Sequence, residues 1–339
     1  MGISEFFQLP LNRFIFSFLS PLLSYTYLLL LGKIYFWLRP GERRLVVENI
    51  LEVLQGRKTA GDLERIIRAT FRGIFHHYAE KLFQAYHEYE GVVTYLRKKV
   101  RISGMEHIDR ALKQGRGVLL VTAHFGGVEF LPAVLALQHY HPYMVVKFKT
   151  PSLRRSLEER AARVGITPVD ADEGTSFFRL AKILKRNKIV ITECDEVESI
   201  NPSTAGCGSM FGVPVYIDRS IDLLQYIDRS IDRWQRKTGA QVLGIFLIRN
   251  GLGGYHLSVE PLEASEFSPG SVTCGLLNLL EKYILQYPDQ WYQWKNWKRL
   301  RAGADFISHQ VPSHPRRQGY SRPGVRGVQP EHRMPGTAA

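Results

Sequence analysis

The chain has 339 residues, with 45 Lys plus Arg against 32 Asp plus Glu, giving a formal net charge of +13. A hydrophobic share of 45% and a charged share of 23% argue against a mainly disordered protein. Three cysteines, Cys194, Cys207 and Cys274, form no CxxC pair, which argues against a disulfide scaffold or a structural zinc site and points to a reducing compartment. The basic balance leaves nucleic acid, an anionic membrane surface or an acidic ligand as partners.

The first element is the uncharged stretch Phe14–Gly32, FIFSFLSPLLSYTYLLLLG, between Arg13 and Lys33. As one helix its nineteen residues would rise roughly 28 Å, about the thickness of a bilayer's hydrocarbon core. Tyr25, Tyr27, Tyr35 and Trp37 are the amphipathic aromatics of a membrane interface. Residues 1–38 are therefore expected to be a membrane anchor. Pro21 leaves an in-plane or re-entrant form open, and a buried core helix is the competing reading. Residues 39–99 read as helices: VVENILEVL follows Arg39, Arg43 and Arg44, and Leu63–Tyr89 carries apolar residues at helical spacing. His76, His77 and His87 in that stretch make no metal spacing, so each reads as a solvated or core-edge histidine.

From residue 100 the pattern alternates. Gly117–Thr122, Met144–Val146 and Ile189–Ile191 read as buried strands, and Phe130–Leu137 and Phe177–Lys185 as helices. Val242–Ile248 and Tyr255–Val259 read as a hairpin across the glycine-rich turn Arg249–Gly254. The predicted fold is α/β, a mixed central sheet with flanking helices over residues 100–306. YIDRSID occurs at Tyr216–Asp222 and again at Tyr226–Asp232, which reads as a short tandem duplication lengthening one amphipathic helix. Residues 307–339, rich in Pro, Gly, Ser and Arg, are expected to be a disordered tail.

The chemistry concentrates in Thr122-Ala123-His124-Phe125-Gly126-Gly127-Val128-Glu129. A strand ends in His, two glycines supply a turn, and Glu129 falls in the first turn of the next helix. From there it is expected to reach back, fix the tautomer of His124 and stabilise its imidazolium. The amides of Gly126 and Gly127 are candidate donors to a developing oxyanion. A capped helix with an incidental histidine is the alternative. No local nucleophile joins the pair, since Ser209 lies in Gly208-Ser209-Met210-Phe211-Gly212, not in a nucleophile elbow. His124 is then expected to act as base toward a hydroxyl of the substrate itself.

The segment GMEHIDRALKQGRGVLLVTAHFGGVEF resembles the core of the bacterial lipid A biosynthesis (late) acyltransferase family, part of the glycerolipid acyltransferase group marked by His-x4-Asp/Glu. The apolar N-terminus, Met210-Phe211-Gly212-Val213-Pro214 and Tyr287-Pro288-Asp289-Gln290-Trp291-Tyr292-Gln293-Trp294 agree in order, so the resemblance spans roughly residues 10 to 300. It implies acyl transfer from an acyl-thioester, on acyl carrier protein or coenzyme A, to a hydroxyl of a membrane glycolipid. A lipid A-type precursor is the first acceptor it suggests, with another glycolipid such as a phosphatidylinositol mannoside as the alternative. It also implies an inner (cytoplasmic) membrane protein whose catalytic domain faces the cytoplasm. His124 corresponds to the family's general base and Glu129 to its partner. Arg160 and Arg163 both lie near the place of a family arginine, and Asp195 lies near an acidic position, with Glu193, Glu196 and Glu198 around it. Thr150-Pro151 stands where Asn-Pro is usual.

A thioester is already activated, so no metal or cofactor is expected. Lys147, Lys149, Arg154 and Arg155 are candidates for binding phosphates, or else a solvated charge run. A hydrolase of the same architecture and a non-enzymatic basic scaffold remain as competing readings, and the scattered basic residues argue against nucleic acid. The excess positive charge is 5 over residues 1–100, 4 over 101–306 and 4 over 307–339. That weighting toward the flanks suits a protein resting on anionic lipid.

Overall fold

In the computed structural model the described residues are 7, 9–19, 21–147, 151–171, 176–195, 206–217, 230–251, 253–262 and 271–301. The apolar N-terminus forms two helices, α1 (Pro10–Phe18) and α2 (Pro21–Leu38), followed by α3 (Pro40–Leu54) and the long α4 (Ala60–Tyr86). Prolines stand at the first positions of α1 and α3, where the missing N–H is not needed. Thr59 caps α4 by accepting from the Asp62 amide at 3.2 Å. The break at Pro21 corrects the expectation of one continuous span. Among the described residues no helix is long and apolar enough to cross a membrane. Phe16, Leu28, Tyr35 and Phe36 are buried against Ile74, Phe75, Ala79 and Leu82 of α4. Leu11, Phe14, Leu23, Leu30, Ile34, Trp37 and Leu38 are exposed, so the segment has one face on the protein and one apolar face outward.

Then come α5 (Tyr89–Lys99), β1 (Val100–Ser103), α6 (Met105–Lys113) and β2 (Val118–Thr122). The 3-10 turn Val128–Phe130 leads into α7 (Leu131–Leu137), followed by β3 (Tyr143–Val146), α8 (Pro151–Val164), β4 (Thr167–Asp170), α9 (Ser176–Lys185) and β5 (Ile189–Glu193). The hairpin β6 (Gly206–Met210) and β7 (Val213–Ile217) precedes α10 (Ser230–Thr238), β8 (Gln241–Asn250), β9 (Gly254–Pro261) and α11 (Val272–Gln286). The 3-10 turns Pro288–Gln290 and Tyr292–Asn296 and the single turn α12 (Trp297–Leu300) close the described chain.

Among the described residues seven strands form one sheet in the order β1-β9-β8-β2-β5-β3-β4, parallel throughout except at the β8/β9 hairpin. Strand β2 is buried along its whole length, as a central strand covered on both faces must be. Its Leu119 and Val121 join a core with α3, α9 and α11, while Val118 and Leu120 join one with α5, α6 and α7. This confirms the mixed α/β architecture. Sequence patterning missed β1 and β4, both at sheet edges. Strand β4 contains Pro168, which a strand pairing on one side only tolerates.

The duplicated YIDRSID does not make one helix among the described residues. Tyr216 and Ile217 end β7, and Ser230, Ile231 and Asp232 begin α10. The rest of both copies, Lys149, Thr150, Glu196, Glu198 and the tail from Ile307 lie outside the described residues.

Candidate active site

Strands β2 and β5 are neighbours with Thr122 opposite Glu193, and the Cys194 amide donates to Thr122 O at 2.8 Å. One residue further, the chain places His124 beside Asp195. The His124 amide donates to both carboxylate oxygens of Asp195, at 3.0 and 3.1 Å, and Nδ1 lies 3.0 Å from Oδ1. The Trp291 indole N–H donates to Oδ2 at 2.9 Å. Asp195 is only 1% exposed. Burial raises its pKa, but the His124 charge and the bonds from His124 and Trp291 outweigh it, so the carboxyl stays below its ordinary range. An ionised acceptor at this distance holds a proton on Nδ1 and turns Nε2 into the basic nitrogen. Nε2 lies 3.5 Å from Glu193 Oε2, and the ring is partly open to solvent. Asp195, which the family resemblance puts near an acidic position, is thus the acid that orients His124.

The glycines after His124 serve close approach instead of anion binding. The Gly126 amide donates to Gln290 O at 2.9 Å and the Gly127 amide to Leu247 O at 2.6 Å. This corrects the expectation that both point at an oxyanion. Gly126 sits at φ +56°, and a Cβ there would overlap the Leu247 carbonyl; a Cβ on Gly127 would lie 2.8 Å from the Tyr255 ring. The turn is packed onto β8 and β9, and only glycine leaves room for it.

Glu129 does not reach back to His124. Its carboxylate lies 2.8 Å from Lys81 Nζ and 3.4 Å from His77 Nε2, both on α4. The turn is pinned to β8 and to residue 290, so the following 3-10 turn faces α4, which captures the acid. His77 is buried, not solvated, and stacks on Tyr292 with ring centroids 4.5 Å apart. Burial, and then the charges of Lys81, His124 and Arg249, hold it neutral well below the usual histidine range.

A family model described as bacterial lipid A biosynthesis acyltransferase matches residues 31–299, from within α2 to the last turn of α12. The chain belongs to that family. Comparison with curated proteins returned no match. As a lipid A biosynthesis acyltransferase family member, the chain has lipid A-type acyl transfer as its implied chemistry, with an acyl donor and a lipid acceptor.

The remaining residues that sequence placed in this family's site are spread more widely. Lys147 is exposed just past β3, two strands from β2. Arg160 is half-buried and Arg163 exposed on α8, which packs on α4. Neither arginine has an ion-pair partner among the described residues. Burial and then the like charge of Arg163 lower the Arg160 pKa. Arg160 acts on His87 at the end of α4, ten residues from His77 and so about 15 Å along the helix. Arg154 is taken up by Glu158 and Asp170, each at 2.9 Å. Among the described residues no three His, Cys, Asp or Glu side chains converge as metal ligands. Trp291, Lys81 and His77 were missed as site residues. Only Trp291 carried a signal, through the Pro288–Trp294 segment.

Proposed function

We propose that the protein is a membrane-associated O-acyltransferase that moves a fatty acyl chain from an acyl-thioester to a hydroxyl of a lipid A-type glycolipid, with His124 as general base and Asp195 as the acid that orients it. The observation that carries this is the Nδ1–Asp195 contact at the carboxyl end of adjacent parallel strands, where open α/β sheets place their ligands. The acceptor O–H gives its proton to Nε2 as its oxygen attacks the thioester carbonyl. The tetrahedral intermediate collapses by breaking C–S, and the departing sulfur takes the proton back from the imidazolium. Asp195 stabilises that imidazolium without taking its proton.

The anionic parts of the substrates meet cations on two sides. We assign Lys81, beside Glu129, to the site itself, and Arg160, Arg163 and Lys147 to more distant phosphates of donor or acceptor. The outward apolar residues of α1 and α2, bordered by Lys33, Arg39, Arg43 and Arg44, support an in-plane seat on an anionic bilayer. The proposed location is the inner membrane with the catalytic domain on the cytoplasmic side.

The test uses purified full-length protein in mixed micelles of a lipid A precursor, with labelled acyl chain on acyl carrier protein or on coenzyme A. Acceptor-dependent transfer that disappears in His124→Ala is expected. Full transfer in that variant, or release of free fatty acid independent of acceptor, refutes the reading.

A further inference from the structure

Beneath the catalytic turn lies a buried charged network that acyl transfer as described does not use. Arg249, next to last in β8, donates from Nε and Nη2 to the two carboxylate oxygens of Glu80 on α4, both at 2.6 Å. Tyr255 O–H donates to the same carboxylate at 2.7 Å. Glu80 and Arg249 are almost wholly buried, at 3% and 10% side-chain exposure. A buried ion pair is weak evidence for stability, because desolvation offsets most of the attraction and apolar residues of the same volume do as well. Its geometry is the more informative property.

From Arg249 two routes lead to the catalytic turn, both meeting it at Gly126 and one also at His124. Nη1 donates to the Tyr292 hydroxyl, which donates in turn to Gly126 O, and the Tyr292 amide donates to His124 O at 2.9 Å. The Arg249 backbone amide donates to Gln290 Oε1 at 2.8 Å, and Gln290 Nε2 donates back to Arg249 O at 2.9 Å. Gln290 O then accepts the Gly126 amide. Every one of these donors and acceptors has a fixed direction. Burial pushes the Tyr292 hydroxyl far above its ordinary pKa, so it remains a donor. Burial also disfavours the Arg249 cation, but the adjoining Glu80 more than reverses this.

We propose that Arg249, locked by Glu80, is a positioning residue for acyl transfer: through Tyr292 and Gln290 it sets where the His124–Gly127 turn stands and so aims Nε2 at the acceptor hydroxyl. This rests on His124 being the base. Trp291 lies between the two mediators and holds Asp195, so one short segment places both members of the pair. A misplacement of about 1 Å in a reacting group costs on the order of 10²-fold in rate, and the network holds this turn together with Leu247 O and Asp195.

The test compares Tyr292→Phe and Arg249→Lys with His124→Ala and with Tyr140→Phe, a control whose hydroxyl bonds Asp109 at 2.6 Å on the surface. In full-length protein, Tyr292→Phe is expected to lower kcat about 10²-fold per folded molecule while KM for both substrates stays within about twofold. Its pH–rate profile should lose its acid limb to lower pH, as an imidazolium less well aligned with Asp195 ionises more readily. Arg249→Lys, which keeps the charge but not the fork, should show the same pattern, and Tyr140→Phe neither change. Wild-type kcat and acid limb in folded Tyr292→Phe overturn the proposal, as does a loss that tracks only the unfolded fraction. Persistent activity in His124→Ala instead overturns the assignment of the base.

Discussion

Asp195→Asn changes almost no volume and isolates the charge. The carboxylate accepts from three N–H groups: the His124 ring, the His124 amide and the Trp291 indole. A carboxamide has one acceptor oxygen, and its NH2 meets a second donor head on. Either a buried N–H is left unsatisfied, at a cost of about 1–3 kcal/mol, or the His124 ring switches tautomer to accept from that NH2 and carries its proton on Nε2, which is then no longer basic. The larger effect falls on the transition state, where the imidazolium loses an ionised partner and its tautomer is no longer fixed. The same exchange in a Ser-His-Asp site lowers kcat about 10⁴-fold. Here the His124 carbonyl stays held by the Tyr292 amide, so the expected loss is ~10²- to 10⁴-fold, or about 3–5 kcal/mol. Steady-state transfer of labelled acyl chain at saturating donor, with folding checked by thermal melting, measures it. The folded wild-type carboxyl holds its proton less tightly than the unfolded one, so the unfolded chain binds more protons as pH falls. Stability from Asp195 is complete above about pH 4 and lost below it, and the Asn variant should lack that part of the acid limb. A kcat within threefold of wild type, in protein that melts normally, would refute the reasoning.

Trp291→Phe removes the indole donor to Asp195 and keeps the aromatic packing; a fall in kcat of about tenfold is expected, in line with one hydrogen bond of ~1–1.5 kcal/mol, against no change if Trp291 is only core. Gly126→Ala should strongly depress the melting temperature, because its Cβ has no space against Leu247 O and its φ is left-handed; a variant that melts like wild type contradicts the packing of the turn on β8. Burial holds His77 well below 6.5 and His76 at about 3, so below pH 6.5 the unfolded chain takes up protons the folded one does not. Stability should therefore fall by up to about 1.4 kcal/mol per pH unit for each histidine as pH drops below 6.5, and denaturant titration of the two His→Gln variants should show a flatter dependence there.

The buried strands and their helices were legible because a central parallel strand must be apolar on both faces, as Val118–Thr122 is. Strands β1 and β4 were not, since each is only four residues long and β4 contains a proline. His124 was legible from its place after a strand. Its partner was not, because Asp195 lies 71 residues away and meets it only through the register of β2 against β5. Glu129 was misread for the complementary reason: proximity in sequence suggested a contact, whereas the packing of Gly126 and Gly127 on β8 and β9 turns the acid toward Lys81. In the N-terminal stretch, composition alone favoured one span, and Pro21 divides it.

Helix α4 runs for 27 residues, about 40 Å, with two stripes on it. Ile74, Phe75, Ala79 and Leu82 meet the apolar N-terminal helices, and His77, Glu80 and Lys81 meet Tyr292, Arg249 and Glu129. The stripes interleave, so their angular phase is common property. One residue inserted between Phe75 and His77 would rotate everything after it by about 100°, sending either the polar stripe or the apolar one to the wrong neighbour. Length changes are therefore forbidden in this stretch of α4 even where point substitutions are tolerated, and a scan of single-residue insertions along the helix should find activity and N-terminal docking lost together there.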